Sequence, residues 1–210
     1  GSNLMIDSPI SNIGILGLVA EDSLHLTNPG TMSVGQLDAI SGSDLTLQIG
    51  GSLLLNGRVR LDAIVLPGAS VNSGANLTLN VAGDYTNNSA TESSRLAITN
   101  RDHIGGNANI AVGATNISIA NNLDVQIANQ AGSHIGENAR INVDASNNIN
   151  IVGDATFQIL NNDGGHIGGN GNISLTTGAD GDLIANSILA LVNNRNDGSI
   201  GAGANINFDI

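Results

Sequence analysis

The sequence predicts an all-β protein, a right-handed parallel β-helix (β-solenoid) of about six to seven coils, each of about 31–33 residues. Three observations predict this fold. An apolar pair recurs along the 210-residue chain at nearly constant spacing, and no window shows sustained helical periodicity. The chain is also rich in aliphatic residues but almost free of aromatic rings, which suits a core of stacked, similar side chains.

The main repeat is a pair of apolar residues separated by one residue. Seven such pairs recur at intervals of about 32 residues, and no interval departs from this value by more than one. Their first members, the anchors, are Ile13, Leu45, Leu77, Ile110, Ile141, Ile173 and Ile206. Because side chains alternate along a strand, each pair places two apolar residues on one face. The repeat therefore predicts that all seven pairs stack in one parallel sheet with their side chains inward.

Three further apolar ladders run out of phase with the anchors. The second ladder consists of Ile40, Val71, Ile104, Ile135, Ile167 and Ile200. The third consists of Ile64, Leu96/Ile98, Val125/Ile127, Phe157/Ile159 and Leu189/Leu191. The fourth consists of Leu53/Leu55, Tyr85, Ile117/Ile119, Ile149/Ile151 and Leu183. Each repeat thus holds three or four short strands separated by Gly, Asn and Asp turns. Two coils of about 16 residues per repeat are the structural alternative.

The charge balance excludes several classes of partner. The formal net charge is −12, lysine is absent and only six arginines are present. A nucleic-acid binder needs a cationic stripe, so neither nucleic acid nor an anionic membrane is an expected partner. No cysteine is available for disulfides or thiolate chemistry, and no apolar run reaches the length of a membrane-spanning helix. We expect residues 1–210 to be a single β-helix fragment of a longer repeat protein.

Three histidines occupy one position of the repeat. His103, His134 and His166 directly precede Ile104, Ile135 and Ile167, and Ser199 takes their place in the next repeat. Parallel stacking would form a column of imidazoles, which are the commonest metal ligands. A column points its rings the same way, however, whereas a metal site needs ligands that converge on one point. We therefore expect a polar surface position, with no metal or other cofactor, and keep the column as a secondary metal candidate.

Asparagines form a ladder of their own. Asn100, Asn129, Asn161 and Asn193 each lie two residues after an apolar strand position, at intervals of about 30 residues. Asn tolerates the left-handed conformation of a sharp corner, and its amide can bond to the next coil. The ladder predicts a structural role at a corner of the coil.

Acidic residues offer two weaker hypotheses. A calcium site would draw on Asp154, Asp163, Asp180 and Asp182, but the regular nonapeptide calcium repeat is missing. A polysaccharide lyase or hydrolase would need a carboxylate pair on one face, and the acids are scattered. We therefore expect no enzyme active site and no catalytic residues.

The C-terminal sequence resembles the repeats of a known protein family. The segment ALVNNRNDGSIGAGANINFDI, from Ala190 to Ile210, is similar to the haemagglutinin repeats of filamentous-haemagglutinin-like exoproteins. The stretches Ala155–Ile173 and Leu123–Ile141 fit the same pattern more loosely. The resemblance implies an adhesin-like protein at the surface of a Gram-negative bacterium or secreted from it, exported through an outer-membrane transporter. It implies no catalytic residues, and a cell-surface receptor or glycan, of a host or a bacterium, as partner.

Two classes of function follow from the sequence. The first is a structural and adhesive segment of a secreted or surface exoprotein. The second is a carbohydrate-active β-helix, either an enzyme or a glycan-binding module. Long inserted loops with aromatic side chains would favour the second class, but the repeats keep an almost constant length and contain a single tyrosine and no tryptophan. An ice-binding solenoid would need repeated Thr-x-Thr rows, which do not recur here.

Overall fold

The computed structural model describes residues 2–210, and this part of the chain forms twenty-three strands and no helix. In chain order the strands are β1 (Leu4–Asp7), β2 (Ile13–Val19), β3 (Leu24–Asn28), β4 (Met32–Ser41), β5 (Leu45–Ile49), β6 (Leu53–Leu55), β7 (Val59–Val65), β8 (Ser70–Val71), β9 (Ala75–Val81), β10 (Tyr85–Asn87), β11 (Ser94–Asn100), β12 (His103–Ile104), β13 (Ala108–Ala114), β14 (Ile117–Ile119), β15 (Leu123–Asn129), β16 (His134–Ile135), β17 (Ala139–Ala145), β18 (Ile149–Asn161), β19 (His166–Ile167), β20 (Asn170–Thr176), β21 (Leu183–Asn194), β22 (Ser199–Ile200) and β23 (Gly203–Asp209).

The strands pair in parallel and assemble into three sheets. Sheet A runs β1-β3-β5-β9-β13-β17-β20-β23. Sheet B has its strands in two rows, and the long strands β4, β18 and β21 each take part in both rows. Sheet C is the smallest, with the order β22-β19-β16-β12-β8. The chain visits the sheets in turn and returns to sheet A one rung further on, which makes the protein a β-solenoid, as predicted.

Coil length changes along the solenoid. The register of sheet A follows Leu4, Leu24 and Leu45, so that each of these first two coils spans about 20 residues. From Leu45 the register continues through Leu77, Ile110, Ile141, Ile173 and Ile206, in steps of about 32 residues. Five coils of the predicted length are therefore present instead of six to seven, and pairing across a full repeat rules out coils of half that length. The right-handed winding stays a prediction.

The first rung of the predicted anchor ladder was wrong. Ile13 and Ile15 lie on β2, which pairs with β4 in sheet B, and Ile15 is 68% exposed. The partner of Leu45 in sheet A is Leu24. Ile40, the first member of the second ladder, also lies in sheet B, opposite Asp62. Both errors arise because the repeat period of the later coils does not extend to the short coils.

Sheet C accounts for the longer coils. Ser41 and Ala63 are register partners, as are Leu45 and Leu77. The chain passes from Ser41 to Leu45 in four residues but from Ala63 to Leu77 in fourteen. The additional ten residues contain β8, the first strand of sheet C. Coils after Leu45 therefore have a third side, which carries the histidines.

Aliphatic side chains fill the interior in aligned rows. The six anchor pairs from Leu45/Leu47 onward share sheet A in register, and those up to Ile173/Leu175 are buried. The fourth ladder is confirmed, with Tyr85 between Leu53 and Ile117. Stacking along the solenoid thus builds one core from residues distant in sequence.

The prediction of the third ladder is confirmed for its middle rungs, from Leu96 to Phe157, and was wrong for its first and last rungs. Its first rung is Leu61/Ala63, because Ile64 lies opposite Thr99. Its last rung is Ala190/Val192 instead of Leu189/Leu191. In both places the predicted residue is one position away from the buried row, which puts it on the other face of the strand.

Candidate functional site: the histidine column

The three histidines form a stacked column on sheet C. His103, His134 and His166 are register partners in β12, β16 and β19. Their ring centroids are 5.0 Å apart between His103 and His134 and 4.7 Å apart between His134 and His166, with interplanar angles of 7° and 17°. Ser70 and Ser199 extend the column on either side. The predicted parallel column is therefore present, and its side chains are half-buried.

The spacing of the rings bears directly on metal binding. Equivalent nitrogens of stacked parallel rings are separated by about the centroid distance, here 4.7–5.0 Å. Two zinc–nitrogen bonds of about 2.1 Å span at most about 4.2 Å, even when they are collinear. A shared ion would therefore require the rings to tilt toward each other. Among the described residues, no group of three or more His, Asp or Glu side chains is arranged to hold a metal ion.

No carboxylate lies within salt-bridge distance of the column among residues 2–210. Asp102, next to His103, instead accepts a hydrogen bond from the backbone of Gly68. In the described part of the chain, the only side-chain partner of a column ring is Ser199, whose Oγ lies near His166 Nδ1. Burial, followed by the neighbouring His166 and His103, lowers the pKa of His134 below its usual value.

An asparagine ladder runs directly behind the column. Asn100 Nδ2 donates to Asn129 Oδ1 at 2.8 Å, and Asn129 Nδ2 donates to Asn161 Oδ1 at 2.7 Å. The same amides bond to the backbone of sheet C, since Asn100 Nδ2 donates to the carbonyl of His134 and Asn129 Nδ2 to that of His166. The three asparagine side chains are fully buried. The ladder therefore ties sheet B to the strands that carry the histidines.

The fourth rung of this ladder is Asn194, and the prediction of Asn193 was wrong. Asn161 Nδ2 donates to Asn194 Oδ1 at 2.7 Å, whereas Asn193 pairs with Leu160. The register between β18 and β21 shifts between Ile151 and Asp154, so a constant step points to the wrong residue. The left-handed backbone expected of the ladder residues is also wrong. Positive φ angles of non-glycine residues occur elsewhere, at Asn12, Asp163, Asn196 and Asp197.

Among the described residues, the candidate calcium ligands Asp154, Asp163, Asp180 and Asp182 do not form a group arranged to hold a metal ion. Asp154 Oδ1 accepts hydrogen bonds from Ser187 and Asn186, and these bonds lower the pKa of that carboxyl group. Asp163 accepts a hydrogen bond from Asn196 at 2.6 Å. Both carboxylates therefore serve local contacts between neighbouring coils.

A charged cluster on sheet B was not predicted. Arg60 and Arg95 are register partners, and both approach the carboxylate of Asp62, with Nε–Oδ distances of 2.5 and 3.6 Å. Asp62 is 3% exposed. Arg95 also lies 3.6 Å from Asp124, whose pKa is raised mainly by burial. Sequence periodicity did not indicate this cluster because Asp62 lies in a different register column from Arg60, Arg95 and Asp124.

A polar groove follows the solenoid axis along the shorter strands of sheet B. It has a volume of about 460 Å³. Thr86, Ser118 and Asn150 are aligned along it in register. Among the described residues, no side-chain hydrogen bond to protein involves these three. The flanking row, in contrast, is hydrogen-bonded from coil to coil, and it consists of Asp84, Asn116, Asn148 and Asp182.

Comparisons with family models, with curated proteins and with solved structures find no match to this chain. Within residues 2–210, no helix has the length and apolar character needed to cross a membrane.

Proposed function

We propose that this chain is a structural and adhesive segment of a bacterial secreted or surface exoprotein. The supporting observation is the repetition of the same parallel pairing over seven steps of sheet A. At a strand spacing of about 4.8 Å, seven steps make a rod about 34 Å long. Such a rod presents short polar side chains in straight rows, which suits repeated weak contacts with an extended partner.

The groove on sheet B is the surface we assign to adhesion. Thr86, Ser118 and Asn150 point outward, and their hydrogen-bonding groups are free of protein partners in the described residues. A cell-surface receptor or glycan with hydroxyl or amide groups at similar intervals would pair with this row. We further propose that the protein containing this segment leaves the cell through an outer-membrane transporter, in keeping with the haemagglutinin-repeat resemblance.

Bead adhesion tests this proposal. Beads coated with the purified chain should adhere to cultured host cells or to bacteria more than beads coated with albumin. The triple variant T86A/S118A/N150A should lose most of that adhesion. The control variant T46A/T78A/N142A removes three outward polar side chains of sheet A, where they lie in one register column. Absence of adhesion by the unaltered chain would contradict the proposal, and equal loss in both variants would contradict the assignment of the groove.

The alternative function is a carbohydrate-active β-helix. The groove favours it, because it is elongated and polar and has Asp84 and Asp182 along one side. Against it, amide side chains lie between these two aspartates in the flanking row, so the carboxylates do not form the adjacent pair that glycoside hydrolysis requires. Incubation with acidic and neutral polysaccharides distinguishes the two functions. New reducing ends or unsaturated products would establish the enzyme, and we expect neither.

A further inference from the structure

The histidine column combines three features that bear on its response to acid. Its rings are stacked at 5.0 and 4.7 Å, so protonation would bring like charges into direct contact. The described residues supply no carboxylate within salt-bridge distance of a ring nitrogen. The strands that carry the rings are two residues long. Each ring is therefore held by few backbone bonds and has no counter-charge in contact within the described part of the chain.

Charged groups in the adjoining turns do not supply that counter-charge. Asp163 and Glu137 accept hydrogen bonds from Asn196 and Asn107, and neither carboxylate lies within salt-bridge distance of a ring nitrogen. The carboxylate of Asp102 accepts a hydrogen bond from the backbone N–H of Gly68. The flanking strands β8 and β22 contribute serines at the column position. The remaining charged residues of these turns are Arg101, Arg195 and Asp197.

Rearrangement of the rings would be transmitted to the backbone. Asn100 and Asn129 donate to the carbonyl oxygens of His134 and His166 at 3.0 and 3.3 Å. The histidine backbones are thus bonded to the buried amide ladder. Repulsion between the rings would consequently weaken the contact between sheet C and sheet B.

We propose that His103, His134 and His166 form an acid-sensitive switch, which loosens sheet C from the solenoid when the column becomes protonated. Neutral imidazoles stack without repulsion, whereas protonated imidazoles would repel each other at the observed ring spacings of 5.0 and 4.7 Å. Because His134 is stacked between two other imidazoles, its ring takes up a proton less readily in the folded protein than in the unfolded chain. The free energy of unfolding therefore decreases as the pH is lowered, because the unfolded state binds more protons than the folded state.

The pKa of His134 supports this direction. Burial and its two histidine neighbours lower the pKa of the ring below the value in an unfolded chain. The contribution of this ring to stability is therefore unchanged at high pH and turns unfavourable as the pH falls through the unfolded value near about 6.5. Each pKa unit by which folding lowers the pKa of this ring corresponds to about a tenfold change in the ratio of folded to unfolded protein at low pH.

The test compares the unaltered chain with H103S/H134S/H166S. Serine already occupies this column at Ser70 and Ser199. Denaturant midpoints are measured between pH 8 and pH 5 in the presence of EDTA. We expect the midpoint of the unaltered chain to fall across this range and that of the triple variant to fall much less. The control is H25S, since His25 lies in sheet A and contacts Thr27. This variant should retain the fall.

Hydrogen exchange locates the effect and does not depend on any variant. Protection factors in β12, β16 and β19 should drop between pH 7.5 and pH 5.5, while those in β13 and β17 of sheet A stay high. If the triple variant fails to fold at pH 8, the proposal is tested by hydrogen exchange on the unaltered chain and by the denaturant midpoints of the single variant H134S. Parallel pH profiles for the unaltered chain and a folded serine variant would overturn the proposal. Hydrogen-exchange protection factors in sheet C that stay the same between pH 7.5 and pH 5.5 would also overturn it.

Discussion

Replacement of Asn129 by alanine tests the amide ladder most directly. The side chain is fully buried in the middle of the ladder. Its Nδ2 donates to Asn161 Oδ1 at 2.7 Å and to the carbonyl of Ser133 at 3.0 Å. Its oxygen accepts from Asn100 at 2.8 Å. Alanine removes these bonds, together with the bond to His166, in a region that water does not reach.

The structure sets the size of the expected loss. Asn161 Oδ1 would be left without this donor, and an unsatisfied buried acceptor costs about 1–3 kcal/mol. Asn100 would lose its bond to Asn129 but keep the carbonyl of His134, so this loss is limited to about 0.5–1.5 kcal/mol. We therefore expect the Asn129→Ala change to lower the free energy of unfolding by about 2–4 kcal/mol.

Chemical denaturation measures this difference. The control variant is Gln130→Ala, because Gln130 is the next residue and lies partly exposed in the turn. Its replacement should change stability by less than about 0.5 kcal/mol. Similar losses for the two variants would refute the reasoning, since they would mean that the ladder bonds contribute no more than a surface contact.

Three further predictions concern the core and the column. Ile141→Asp places a charge between Ile110 and Ile173 and should cost several kcal/mol, whereas Asp144→Asn on the exposed face should cost little; denaturant midpoints compare the two. Tyr85→Phe should leave stability unchanged or raise it by up to about 1 kcal/mol, because the buried hydroxyl makes no hydrogen bond with the described residues; thermal unfolding measures this. Calorimetry with zinc should detect no tight binding, and micromolar binding that His134→Ala abolishes would contradict the ring-spacing argument.

Sequence periodicity predicted the fold where the coil has constant length. From Leu45 to Ile206 each anchor pair stacks on the next, because parallel pairing brings equivalent residues of neighbouring coils together. The prediction failed before Leu45, where the described coils lack sheet C and return to sheet A after about 20 residues. Ile13 matched the longer spacing by coincidence, and an apolar-x-apolar pair does not reveal which sheet it belongs to.

The candidate site was predictable to the extent that it follows the repeat. The histidines share one position of the repeat and similar flanking sequences, so their stacking could be expected. The absence of a described carboxylate at their rings could not, since it depends on how the turns fold and on the bond from Gly68 to Asp102. The buried contact of Asp62 with Arg60 and Arg95 was missed for a related reason: it joins two columns of side chains.

Variation in repeat length is absorbed by turns and by the register shift between Ile151 and Asp154, and together these explain why strict spacing misplaced the last ladder residue. Asn100 pairs in register with Asn129, and His103 pairs with His134, although the step between the histidines is two residues longer than the step between the asparagines. The turn from Asn129 to His134 is longer by the same two residues than the turn from Asn100 to His103. The strands thus remain in register because their side chains stack on buried neighbours, while the exposed turns accept changes in length. Aligning the buried residues first and letting the turns vary allows Asn194, instead of Asn193, to follow Asn161.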